Sequence, residues 1–130
     1  VTTLAALLIA RCGLSQREAA DVLGVRIDTV KSWCVGRNRT PPGVIEELRA
    51  LYRRIEVAAD EALGVFAREG GGVDVIEIGV AATDAEAQAL GCPCVGAHEA
   101  LIGLIAARAR VPVRVVPRGS TPATAAATIV

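Results

Sequence analysis

Gln16-Arg-Glu-Ala-Ala-Asp-Val-Leu-Gly-Val-Arg-Ile-Asp-Thr-Val-Lys-Ser-Trp33 is the stretch on which the reading of this chain turns. Ser15 precedes it and Glu18 stands three residues further on. That is the spacing of a capping box, in which serine accepts the N3 amide and glutamate reaches back to the serine amide. A helix therefore starts here and runs to about Leu23. Gly24 permits a sharp turn, and a further helix is predicted over about Ile27–Val35. Ala19, Leu23, Val25, Val30 and Trp33 supply an inward face, and Ala20 is small where the two helices must cross closely. Arg26, Asp28, Thr29 and Ser32 fall on the opposite, outward side of the later helix. Helix, tight turn and helix with a polar outer face is the pattern of a helix-turn-helix, whose second helix enters a DNA major groove.

Outward from this stretch, Thr2 or Thr3 is placed to cap a first helix running to about Arg11. Leu4, Leu7, Leu8 and Cys12 give it an apolar stripe, and Gly13 ends it. Gly36 to Pro42 reads as a loop carrying Arg37 and Arg39. Pro41 or Pro42 suits the first turn of a fourth helix, where a missing N–H is tolerated. That helix is predicted to reach about Arg68, with Val44, Leu48, Leu51, Ile55, Ala58 and Ala62 recurring at spacings of four and three. Its first half is expected to close the DNA-binding core, and its second half to pack on a partner chain or on a C-terminal domain.

Gly70-Gly71-Gly72 marks a boundary. Val73–Val80 follows as a β-branched strand candidate. Thr83 and Glu86 form another capping-box pair for a short helix to Leu90. A loop, Gly91–Gly96, leads to an amphipathic helix over Ala97–Arg110 with Leu101, Leu104, Ile105 and Arg108 on one side. Pro112–Val116 is the second strand. A strand–helix–helix–strand order permits a parallel crossover. The expected fold class is α+β. Residues 1–69 form an all-α helix-turn-helix domain with a long fourth helix, residues 73–118 a small α/β dimerisation domain, and residues 119–130 a flexible tail. Two strands and two helices make a thin core, so pairing with a second copy is expected.

Composition agrees with a folded chain: 52% of residues are apolar and 22% charged, and with one Trp, one Tyr and one Phe the core must be aliphatic. The formal net charge is zero, which by itself argues against nucleic acid, but the charges are not evenly spread. Through residue 55 there are nine Arg and Lys against five acids, a net of +4; the remainder has five Arg and nine acids, a net of −4. A basic front and an acidic back suit a DNA-facing domain joined to a partner-facing one. Residues 1–10 are apolar without a basic region before them, so no signal peptide is expected, and no apolar run reaches the ~20 residues of a membrane span. Four cysteines without a secretory signal point to reduced thiols and a cytoplasmic location.

Each outward side chain has a role that follows from its chemistry. Gln16, opening its helix, is expected to meet a phosphate through its side chain and the helix N-terminus. Arg26 suits a bidentate contact to guanine, Asp28 an acceptor for cytosine N4, and Thr29 a thymine methyl, with Ser32 on the same face. An acid at Asp28 also stabilises the helix N-terminus. Lys31, Arg37 and Arg39 are expected on phosphates, contributing affinity and salt dependence. Trp33 belongs to the core.

Gln16…Ala20…Gly24-Val25…Val30…Trp33, followed by Gly36-Arg37-Asn38-Arg39-Thr40-Pro41-Pro42, resembles the Cro/repressor (XRE-like) helix-turn-helix family over about residues 2–55. In that family a Trp commonly ends the recognition helix and a Gly-Arg-x-x-Pro loop follows. The resemblance implies a dimeric repressor reading a palindromic operator. The short two-domain layout is similar to small prophage-type regulators, including anti-CRISPR-associated (Aca) repressors. Two positions depart from the family pattern: Arg26 stands where a capping Ser or Thr is usual, and Cys34 follows the Trp where Glu is common.

Cys92-Pro93-Cys94 with His98 raises a metal reading, since two thiolates and an imidazole could supply three zinc ligands and Glu99, Asp84 or another chain a fourth. No second Cys/His pair follows, and ordinary burial of small cysteines is favoured, so no metal or other cofactor is expected. Cys12 and Cys34 read as small core residues. Cys94 and His98 lack an orienting group or oxyanion donor around them, and the triglycine lacks the Lys-Ser/Thr of a phosphate loop, so no enzymatic activity is expected. The leading expectation is a sequence-specific, autoregulating homodimeric repressor with double-stranded DNA and a second copy of itself as partners, and no membrane. The alternatives are an antitoxin-type protein whose C-terminal domain binds a second protein, and a metal- or redox-responsive regulator.

Overall fold

The computed structural model describes residues 2–69, 74–119 and 129. Among the described residues the chain folds as α+β, with six helices and a two-stranded parallel sheet. Two compact units, Val1–Arg54 and Ile55–Val130, divide it inside a single long helix. The triglycine boundary and, apart from Ile129, the tail expected after Gly119 lie outside the described residues.

In the first unit, α1 spans Leu4–Arg11, α2 Gln16–Leu23 and α3 Ile27–Cys34; the long helix α4, Pro42–Glu69, contributes its residues up to Arg54. Thr3 caps α1 by accepting the Ala6 N–H at 3.2 Å. The same hydroxyl donates to the Trp33 carbonyl at 3.0 Å, joining the start of α1 to the end of α3. The expected α1 stripe packs only in part, through Cys12 and half-buried Leu8. Ala5, Ile9 and Cys12 are buried, whereas Leu4 is 57% and Leu7 50% exposed. The helix is apolar almost all round, so its periodicity does not choose a face, and the small Ala5 lies on the side where a neighbour can approach. Cys12 completes this core, its thiol donating to the Leu48 carbonyl of α4 at 3.6 Å. Leu48 and Leu51 are buried, as the spacing of four and three requires.

The second unit takes up α4 from Ile55, followed by β1 (Ile76–Val80), α5 (Asp84–Ala89), α6 (Val95–Arg108) and β2 (Val113–Pro117). The strands pair in parallel, with Ile76 opposite Val113 and Ile78 opposite Val115. The expected crossover is present. Thr83 caps α5 through the Glu86 N–H, while the Glu86 carboxylate accepts from Ala82 rather than from Thr83, a capping box displaced by one residue. α6 begins at Val95, two residues ahead of the predicted start; Cys94 is its N-cap, and the Asp84 carboxylate accepts the Val95 N–H at 3.0 Å. Leu101, Ile102 and Ile105 are buried with Ile76 and Ile78. Arg108 leaves the apolar side to pair with Asp60 at 2.9 Å and Glu56 at 3.3 Å. At this partial exposure the pairs orient α6 against α4 more than they stabilise it.

Candidate nucleic-acid interface

α2 and α3 pack on each other through Ala19, Ala20, Val30 and Trp33, all buried. The capping box at the start of α2 is complete: Ser15 accepts the Glu18 N–H at 3.1 Å and Glu18 accepts the Ser15 N–H at 2.9 Å. At its other end Gly24 takes the left-handed conformation, φ 67°. Its N–H donates to Asp21 and that of Val25 to Ala20, which satisfies the terminal carbonyls and lets the chain reverse within a few residues. A side chain at Gly24 would meet no atom, so glycine is required there by conformation and not by space.

Arg26 is the N-cap of α3 and makes no side-chain cap hydrogen bond. Its guanidinium therefore stands outside the helix, exposed, at the end where α3 begins. Asp28, in the first turn, is exposed, as are Lys31 one turn later and Gln16 at the start of α2; Thr29 is half-buried. Val30 and Trp33 turn inward, so α3 presents one polar and one apolar side, as its sequence predicts.

Ser32 corrects the sequence reading. It is only 6% exposed and does not belong to the outward face. Its hydroxyl donates to the Thr29 carbonyl at 2.7 Å and accepts from the Asn38 amide at 3.2 Å. The Ser32 carbonyl also accepts the Arg37 N–H at 2.9 Å and the Asn38 N–H at 3.3 Å. Ser32 thus ties down the loop after α3, which reverses at Gly36, φ 79°. Arg37 and Arg39 project from that loop, both exposed. Asn38, which the sequence reading passed over, is the anchor between them. Its only sequence signal is a lone amide between two arginines in a glycine-led loop.

The cations of this surface are uncommitted. Among the described residues the ion pair of the first unit is Arg49–Glu46, and Arg26, Lys31, Arg37 and Arg39 enter none. They belong to a unit whose net charge is +4 by sequence. No known protein family, curated protein or solved structure matches this chain.

The cysteine cluster of the second unit is a packed loop. Cys92, Cys94 and His98 are all buried. Among the described residues no three His, Cys, Asp or Glu side chains gather into a group that could hold a metal ion. His98 Nδ1 accepts the Ala81 N–H at 3.1 Å, which joins α6 to the end of β1 and leaves the ring's proton on Nε2. Burial, reinforced by the neighbouring Cys94, pushes the Cys92 thiol up to about 11. Burial does the same to Cys12, against a lowering influence of Arg54. Cys34, expected in the core, is half-buried. No described helix is long and apolar enough to cross a membrane.

Proposed function

We propose that the protein is a sequence-specific DNA-binding transcriptional regulator, an autoregulating homodimeric repressor in which α2 and α3 form a helix-turn-helix and α3 lies in the major groove. The observation that carries this reading is the start and outer side of α3: exposed Arg26 at the N-cap and exposed Asp28 and Lys31 away from Val30 and Trp33, framed by Gln16, Arg37 and Arg39, with no ion pair among the described residues to occupy the cations. Arg26 and Asp28 lie at the N-terminal end of α3, the end that contacts base edges in this class of motif. Arg26 is assigned to a guanine, Asp28 to a cytosine amino group and Thr29 to a thymine methyl. Gln16, Lys31, Arg37 and Arg39 are assigned to phosphates. A palindromic operator follows from a two-fold dimer, with half-sites about one DNA turn, ~34 Å, apart or a multiple of it.

Fluorescence anisotropy on DNA from upstream of the protein's own gene, against scrambled DNA at two salt concentrations, tests the reading. Binding confined to the upstream sequence and weakened steeply by salt is expected; equal, weak binding to both DNAs overturns it. Within a specific complex, Arg26→Ala is expected to cost about 1–3 kcal/mol at one base position and to relax discrimination there. Unchanged discrimination would remove Arg26 from the base-reading set.

A further inference from the structure

We propose that the open edge of β2 and the adjoining stripe of α6 hold a second copy of this chain, the two β2 strands pairing antiparallel about a two-fold axis at Val115. The inference rests on the homodimer reading above and names its interface.

Among the described residues, one side of the β2 backbone has no strand partner. Ile76 N–H donates to the Pro112 carbonyl at 2.9 Å and Arg118 N–H to the Val80 carbonyl at 3.1 Å, and these bonds bracket the parallel ladder. In such a ladder alternate residues direct both backbone groups to the same neighbour, so Arg114 and Val116 face β1. Val113, Val115 and Pro117 face outward, and among the described residues β2 pairs with β1 alone. A two-stranded sheet is marginal by itself. Antiparallel pairing at this edge makes a four-stranded sheet, β1-β2-β2-β1, with the two α6 helices side by side on one face.

Three features select this arrangement. The first is space. α6 is in contact with β1, while Val115 opposite Ile78 remains 52% exposed. Between them runs a groove of about 260 Å³ lined by Val80, Glu99, Ile102, Gly103, Ala106 and Val115. Gly103 is a helix-weakening residue in mid-helix, and a Cβ there would meet nothing, which leaves room for the close approach of another helix.

The second is charge. Glu99 stands near one end of α6 and Arg110 just beyond the other, both exposed. A two-fold axis between Leu104 and Ile105 sets Gly103 against the partner's Ala106 and the Glu99 end of one α6 against the Arg110 end of the other. Gly103 and Ala106, which flank this axis, line the groove together with Val115.

The third is strand register. An axis at Arg114 would set Arg114 against itself, and an axis at Val116 would set it against Arg118; like charges directly opposite are destabilising. An axis at Val115 avoids both. The two Val115 residues then exchange their backbone bonds, and each Val113 N–H meets the carbonyl of the partner's Pro117. Proline has no N–H to extend the pairing further.

Sedimentation equilibrium of the full chain without DNA tests the interface. Wild type is expected to be a dimer at micromolar concentration. Glu99→Arg and Arg110→Glu should each raise its dissociation constant about tenfold, and the double variant should restore it to within about threefold. Directly opposed antiparallel residues lie about 5.5 Å apart between Cα atoms, inside disulfide range. Val115→Cys should therefore give a disulfide-linked dimer on mild oxidation. Val57→Cys, exposed to a similar degree on α4, should not. A dimer insensitive to both reversals and not cross-linked through position 115 overturns this interface and leaves the homodimer standing; a monomeric chain overturns both.

Discussion

Replacing Thr3 by valine removes one hydroxyl that does two things. Thr3 Oγ1 accepts the Ala6 N–H and so caps α1, and it donates to the Trp33 carbonyl, with the Cys34 carbonyl at a longer 3.4 Å. Valine keeps the branched shape, so the loss is confined to hydrogen bonding. Loss of an N-cap oxygen costs typically about 1 kcal/mol. Loss of a partly buried hydrogen bond to the Trp33 carbonyl adds about 0.5–1.5 kcal/mol. The expected destabilisation of the first unit is therefore about 2 kcal/mol. Thr3→Ser, which keeps the oxygen, should lose little of this. Thr2 is exposed and supplies no cap, so Thr2→Val should be silent. Trp33 is the only tryptophan and is buried at the far end of the bond in question, so its fluorescence during urea unfolding reports this unit specifically. A Thr3→Val midpoint equal to that of wild type would show that the link between α1 and α3 contributes nothing, and the account of how α3 is held would fail.

In the proposed operator complex, Ser32→Ala should weaken binding uniformly across operator variants, without changing base preference, because Ser32 holds the loop of Arg37 and Arg39 and is buried; a changed preference at a single base pair would return it to the reading face. In the folded chain near neutral pH, the half-buried Cys34 should react first with a thiol reagent, and Cys12 and Cys92 only on unfolding. Cys12 ordinarily ionises at 9.0 and is held up at about 11 by burial. Between those values the unfolded chain binds fewer protons than the folded one. Stability of the first unit should therefore be complete below the lower value and fall as pH rises through the window. Cys12→Ala should flatten that fall, as read by Trp33 fluorescence. His98→Leu should leave the buried Ala81 N–H without its acceptor, at a cost of about 1–3 kcal/mol, seen as faster hydrogen exchange at Ala81 and along α6.

The parts of this protein that the sequence by itself determined are those whose cause is local. Ser15 with Glu18, Thr3, Gly24 and Gly36 act within a few residues of themselves, so the starts and stops of α1, α2 and α3 can be read from spacing alone. The exposed positions of Asp28 and Lys31 follow from the same local frame, because Val30 and Trp33 fix which side of α3 is inward. Ser32 could not be placed this way: its burial depends on Asn38 folding back across the end of the helix. The buried side of α1 also lay beyond the sequence, since a helix of Leu, Ala and Ile offers no polar side for contrast. Cys12 was legible as core, but only packing set Ala5 and Ile9 inside while Leu4 and Leu7 stayed exposed. The division of α4 between two units at Arg54 and Ile55 is tertiary for the same reason. One unbroken apolar stripe runs through both halves, and the neighbours that bury each half are supplied by residues distant in the chain.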